Sequence, residues 1–313
     1  MKDKKILILG GSGFIGAHLT KRLIHEEALV TVLCRDPKEL QNIEAYQNAR
    51  LLNGDITHYD DVASAIKDAD IIVNLATVVQ TTKTFDPYTD FNVNLKGQIN
   101  VLEARKNVNP HATYIYIGSS MQFGQVKEEH LPVAENHPQK PISLYGVHKV
   151  AAEEYCYIYE KAHGLPSIIV RFPPIYGPSL TGKPTRSVIE KFVKMALNSE
   201  TFHVYSHGSD RKDLIYIDDV VEVLIKLMAI PEKKGVYNAG SGTQVLFSEV
   251  AQMIVDESGS GNFILMPSPD EFKGFDIGSF YFDISKIKHE LGWTPKIDIR
   301  EGLKRMISFY KNK

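Results

Sequence analysis

The sequence predicts an α/β fold, a doubly wound parallel sheet with a smaller C-terminal α/β domain. Three observations carry this expectation. Short β-branched apolar runs alternate with longer segments of helical period as far as Arg171, the first run ends in a glycine-rich turn that opens a helix, and prolines and glycines cluster directly after Arg171.

In chain order the predicted strands are Ile6 to Leu9, Val30 to Leu33, Arg50 to Leu52, Ile71 to Leu75, Thr113 to Ile117 and Ser167 to Arg171. They are short and mostly apolar, as strands buried on both faces must be. Between them Phe14 to Glu26, Asp60 to Lys67, Asp90 to Lys106 and Tyr145 to His163 read as the helices that parallel neighbours need as crossovers. Such a sheet takes its ligand in the crevice at the C-terminal strand ends. After Arg171, Pro173, Pro174, Pro178 and Pro184 with Gly177 and Gly182 break regular structure where the chain leaves the sheet. Leu214 to Ile217 then reads as a strand and Asp219 to Met228 as a helix, returning the chain to the sheet. The expected division gives 1–171, joined by 213–230, to the first domain, and 172–212 with 231–313 to the second.

Composition bounds the partner. The chain has 313 residues, 43% hydrophobic and 24% charged, with a formal charge of −2. Nothing in that balance draws it to nucleic acid or to a membrane surface, so a small molecule is the expected partner. The two cysteines, Cys34 and Cys156, form neither a disulfide framework nor a zinc spacing, which fits a reducing cytoplasm. Met1 to Lys5 leads straight into a strand, and no apolar run approaches the ~20 residues of a membrane span. His148, His203 and His207 lack a nearby acid or cysteine set, so no metal is expected.

The first strand runs into Gly10-Gly11-Ser12-Gly13-Phe14-Ile15-Gly16. Gly10 permits a tight turn, Gly13 lets the backbone approach a pyrophosphate, and Gly16 lets the helix pack closely, its N-terminus favouring negative charge. A turn before a helix also favours glycine, but the position after the first strand favours a dinucleotide. Where the second strand ends, Cys34 and Arg35 replace the carboxylate usual for NAD. Arg35 either clamps a 2′-phosphate, which favours NADP with NAD as the other choice, or is a solvated surface charge. Asp55 and Ile56, after the third strand, either meet the adenine or cap the following helix.

Tyr145-Gly146-Val147-His148-Lys149 sets a phenol and an ammonium four residues apart on one helical face. A free tyrosine, with a pKa of ~10, is a poor base at neutral pH, and a neighbouring lysine cation favours its phenolate. Lys149 can also hold the nicotinamide ribose.

With these motifs in place, the chain resembles the extended short-chain dehydrogenase/reductases of the NAD(P)-dependent nucleotide-sugar epimerase/dehydratase family. The resemblance covers residues 5–310 and includes Asn74-Leu75-Ala76-Thr77, the stretch from Asn94 to Ala104, Ser119 to Gly124, Arg171 to Pro178, Asp213 to Val220, Tyr237 to Gly242 and Leu291 to Pro295. It implies a Rossmann-type first domain and a C-terminal domain that holds the nucleotide of a nucleotide diphosphate sugar. It assigns Ser119 to the hydroxyl that bonds the reacting sugar oxygen and Tyr145 to the general acid or base. Phe14, Ile15, Asp55, Ile56, Leu75, Ala76, Thr77, Asn94, Lys149 and Pro173 fall where the family lines its cofactor. Ser120, Arg186, Arg211, Lys212 and Lys273 are the substrate candidates, Lys212 and Lys273 standing where the family has arginine. A homodimer through a four-helix bundle of the helices Asp90 to Lys106 and Tyr145 to His163 is likewise implied.

Dehydratases of the family carry an acid in the two positions after the catalytic hydroxyl, and here these are Ser120 and Met121, so 4,6-dehydration is not expected. Pro174 stands where many epimerases have asparagine. With Cys34-Arg35 in place of the ribose-binding acid, the expected reaction is net reduction or oxidation at C4, by a 4-keto-sugar reductase or 4-dehydrogenase. The alternative is a 4-epimerase with tightly bound NAD.

Overall fold

The structure, a computed structural model, describes residues 1–79, 86–185, 187–232, 234–270 and 276–313. Strands β1 (Lys5–Leu9), β2 (Leu29–Cys34), β3 (Arg50–Asn53), β4 (Ile71–Asn74), β5 (Thr113–Ser119) and β6 (Ile168–Phe172) form most of one sheet. Four short strands follow, β7 (Ile175–Tyr176), β8 (Thr201–Val204), β9 (Arg211–Lys212) and β10 (Ile215–Tyr216), and then β11 (Gly235–Asn238) adds the seventh strand. The order is β11-β6-β5-β4-β1-β2-β3, every pair parallel. The Rossmann-type sheet is thus present, and its direction of winding reverses between β1 and β4.

The period of two along β1 divides the core. Ile6 and Ile8 face one cluster with Leu19, Leu23, Val30 and Val32, while Leu7 and Leu9 face another with Val101, Leu102, Tyr114 and Tyr116. Helices cover both faces: α1 (Phe14–His25), α2 (Tyr59–Ile66), α4 (Gly97–Val108), which the short α3 (Pro87–Phe91) precedes, α5 (Leu144–His163) and, beyond α6 (Val188–Leu197), which packs on β8 away from this sheet, α7 (Ile217–Ala229). The second domain adds α8 (Phe247–Ser258), α9 (Ser285–Leu291) and α10 (Ile299–Lys311), with β12 (Val245–Leu246) antiparallel to β9 and β13 (Asn262–Leu265) parallel to β8. Among the described residues no helix is long and apolar enough to cross a membrane.

Two expectations are corrected. The strand expected at Leu214 to Ile217 shrinks to β10, which pairs with β7 outside the main sheet, and Ile217 already begins α7. It is β11 that returns to the sheet, along β6. The helix expected over Asp90 to Lys106 is also not one regular helix. It starts earlier, at α3, where Asp86 caps the N–H groups of Tyr88 and Thr89 and Pro87 takes the first turn, and Asn92–Lys96 forms a π-helical turn before α4. Wider turns of this kind often mark functional positions.

Candidate active site

The crevice at the end of β1 is shaped by backbone that no side chain could share. Gly10 has φ +72°, and a Cβ there would lie 2.5 Å from the Ala76 nitrogen. At Gly16 a Cβ would lie 2.4 Å from the Gly11 carbonyl oxygen, so α1 is drawn against the turn. Gly13 is the N-cap of α1, with no capping side chain and no acidic residue in the first turn. The first-turn N–H groups are thus left to an external anion, which is the fit a dinucleotide pyrophosphate requires. Phe14 and Ile15, partly buried, pack against the core at this helix start.

Around this turn lie the other expected cofactor residues. Arg35 is exposed at the end of β2, its carbonyl accepting from Asn53 Nδ2 at 2.6 Å. Asp36, which sequence reasoning passed over, stands beside it and accepts from the Lys38 N–H. Asp55 accepts from the Thr57 N–H at 2.8 Å and does not cap α2, whose N-cap is His58. Ile56 is buried against Gly97. Asn74 Oδ1 receives the Ala76 N–H, and Asn94 clamps the next residues: its Oδ1 accepts from Thr77 Oγ1 and the Val78 N–H, while its Nδ2 donates to the Val78 carbonyl. Leu75, Ala76 and Thr77 are thereby fixed at the C-terminal end of β4. Pro173 is buried just past β6, and Pro174 is exposed.

The proton-transfer candidates meet at the end of β5. Ser143 caps α5 by accepting from the Gly146 N–H, which sets the register that places Tyr145 and Lys149 on its first turns. Lys149 Nζ donates to the Ile117 carbonyl at 2.8 Å and lies 4.9 Å from the Tyr116 ring centre and 5.7 Å from that of Tyr145. Burial pushes its ammonium down to about 7, with the Asp90 carboxylate opposing the shift. Ser119 accepts from the Met121 N–H, and its own N–H donates to Gln122 Oε1 at 2.7 Å. Gln122 Nε2 in turn donates to Glu153, which is paired with Arg171, and Arg171 also donates to the Glu135 carbonyl. This buried chain of polar groups fixes Ser119 from behind. The sequence motifs contained Gln122 and Arg171 without assigning them a role.

The lowered Lys149 pKa has a consequence for stability. Between about pH 7 and about pH 10 the unfolded chain binds a proton that the folded chain has released, so stability rises with pH across that window. The unfolding free energy should therefore climb more steeply with pH in the native protein than in Lys149→Met, by up to about 1.4 kcal/mol per pH unit. Denaturant titrations across the window test this, and parallel slopes would count against it.

The substrate candidates are more scattered. Ser120 is buried and Arg211 exposed, while Arg186 and Lys273 lie outside the described residues. Lys212 Nζ donates to Asp276 Oδ1 at 2.9 Å and to the Gly278 carbonyl at 2.8 Å, with Asp210 at 3.3 Å. Its neighbour Asp213 accepts from the Ser241 N–H and hydroxyl and from the Phe282 N–H, and burial pushes its carboxyl up to about 6.

Comparison with known proteins points the same way. The model of the NAD dependent epimerase/dehydratase family matches residues 6–240. A Methanocaldococcus jannaschii protein named "Putative UDP-glucose 4-epimerase" is 30% identical over 309 residues, covering 98% of each chain. The structure of a UDP-glucose 4-epimerase with UDP-glucose from Thermotoga maritima superposes with a TM-score of 0.86 at 25% identity, covering 98% of this chain and 99% of the other. That of a Thermus thermophilus UDP-glucose 4-epimerase in complex with NAD has a TM-score of 0.85 at 23% identity, with the same coverage.

Proposed function

We propose, because this chain belongs to the NAD dependent epimerase/dehydratase family, that it inverts C4 of a nucleotide diphosphate sugar as a 4-epimerase retaining NAD. This reading takes the place of the net reductase or dehydrogenase expected from Arg35. The likeness along nearly the whole length to a protein named "Putative UDP-glucose 4-epimerase" supports it, and Arg35 is a single exposed side chain. The observation that carries the chemistry is the placement of Tyr145 and Lys149 on one buried face of α5 against the end of β5.

The dinucleotide, when bound, supplies a hydride acceptor that later gives the hydride back to the opposite face of the same carbon. Tyr145, as phenolate, takes the proton of the C4 hydroxyl and returns it when the alkoxide re-forms, so no net oxidation results. Lys149, when protonated, favours that phenolate. Ser119 hydrogen-bonds the C4 oxygen, its position fixed by Gln122. Ser120 and Met121 offer no acid for expelling water, which supports epimerisation over dehydration. The test is to incubate the purified protein with UDP-glucose and follow the sugar by NMR. Appearance of the C4 epimer without net absorbance change at 340 nm, and NAD among the released small molecules by mass spectrometry, is the expected result. Stoichiometric consumption of NADPH by a 4-keto nucleotide sugar would instead establish the reductase, the reading that Arg35 favours.

A homodimer belongs to this proposal. On α5 Leu144, Val147, Tyr157 and Ile158 are exposed, and Ile99 on α4 is also exposed. Clustered large apolar groups of this kind mark an interface. Light scattering should give twice the chain mass for the native protein and the single mass for Val147→Asp/Ile158→Asp. A dimer unaffected by both charges would place the interface elsewhere.

A further inference from the structure

The Asp90 carboxylate is fully buried, a costly place for a charge unless it is compensated. Its Oδ1 is 2.6 Å from His148 Nδ1 and also accepts from Asn94 Nδ2, while its Oδ2 has no hydrogen-bond partner among the described residues. Asp90 is the penultimate residue of α3, just before the π-helical turn Asn92–Lys96, and His148 immediately precedes Lys149 on α5. The half-exposed Phe91 ring meets the His148 ring edge-on at 6.3 Å.

We infer that Asp90 is a positioning residue whose negative charge, held in place by His148 and Asn94, favours the protonated form of Lys149 and offsets part of the cost of its burial. The groups facing Lys149 narrow the source of compensation. From β5 come the Tyr116 ring and the Ile117 carbonyl, neither of them a charge near neutrality. From α5 come Tyr145 and His148, and further along Glu153, whose carboxylate is engaged by Arg171 and Gln122. Behind Ser119 lies Gln122, which is neutral. Among the described residues Asp90, from α3, is the carboxylate left to offset the desolvation of Lys149, and the direction of its effect on the Lys149 ammonium agrees. The wide turn has a purpose on this account. It presents Asp90 to α5 and Asn94 to the segment after β4, so one irregularity of the backbone serves both the cation and the wall of the cofactor crevice.

This inference rests on the assignment of Lys149 to the proton-transfer pair, but it is tested apart from turnover. In the cofactor-free protein with 15N-labelled lysine, the Lys149 titration midpoint is measured by NMR for the native chain, Asp90→Asn and His148→Gln. Asp90→Asn keeps the shape and an acceptor for His148, and its midpoint should fall by about one pH unit or more. His148→Gln leaves the carboxylate charged, and its midpoint should stay or rise. A midpoint unchanged in Asp90→Asn, or falling in both variants, overturns the inference, the latter because packing rather than charge would then govern Lys149. The alkaline limb of the kcat profile should move to lower pH in Asp90→Asn along with the NMR midpoint. If the midpoint falls and that limb stays, the inference stands and the role given to Lys149 in turnover fails.

Discussion

Tyr145→Phe is expected to lower kcat by roughly 10²–10⁴-fold, the span that positioned acid–base catalysis supplies. The ring is buried against Lys149, so phenylalanine preserves its packing and removes only the hydroxyl. The C4 oxygen then has no partner to take or return its proton, while the glycine turn and the α1 N-terminus are untouched. NAD should still be retained, the melting temperature should move by no more than a few degrees, and the loss should appear in single-turnover hydride transfer. A variant that turns over within about threefold of the native rate would remove Tyr145 from the mechanism.

Gly10→Ala is expected to have the largest effect on the scaffold. The residue has φ +72°, and the new methyl would approach the Ala76 nitrogen and Cα at 2.5 and 2.6 Å. Those atoms cannot step aside, because Asn74 Oδ1 holds the Ala76 N–H and the Leu9 carbonyl holds that of Leu75. Left-handed strain and a backbone collision act together, for a loss of about 2–4 kcal/mol and of dinucleotide retention. Gly164→Ala is the matched control: its φ is +64°, at the C-terminus of α5, with nothing within 4 Å of the new methyl. That variant should lose only about 1–2 kcal/mol. Equal losses in the two, read from urea denaturation, would show that strain alone acts at Gly10.

The parts legible in the sequence share one cause. The strands β1 to β6, α1, α2 and α5 announce themselves through local periodicity, and the glycine turn and the Tyr145–Lys149 pair through spacing on a single element. What was not legible depends on partners distant in the chain. The two-residue β7 and β10 have no period to detect, and β11, Gly-Val-Tyr-Asn, becomes a sheet strand only because the edge of β6 receives it. The π-helical turn at Asn92–Lys96 depends on contacts of Asn94 with the segment after β4. Charged side chains pose the same problem in the site. Asp90, Glu153 and Arg171 look in sequence like solvated residues, and only their pairing across elements permits their burial. Arg35 favours net reduction or oxidation, while similarity along the whole chain gives more support to the alternative, epimerisation, because one exposed side chain carries less weight.

The position of β11 also bears on how the chain is made. Its neighbour β6 ends at Phe172, but Gly235 leaves the ribosome roughly 60 residues later, a delay of several seconds at ~5–20 residues per second. Until then the nascent sheet presents β6, apolar except for Arg171, as an open edge, the kind of surface on which other chains pair and aggregate. A fragment stopped just after Phe172 would carry that edge permanently.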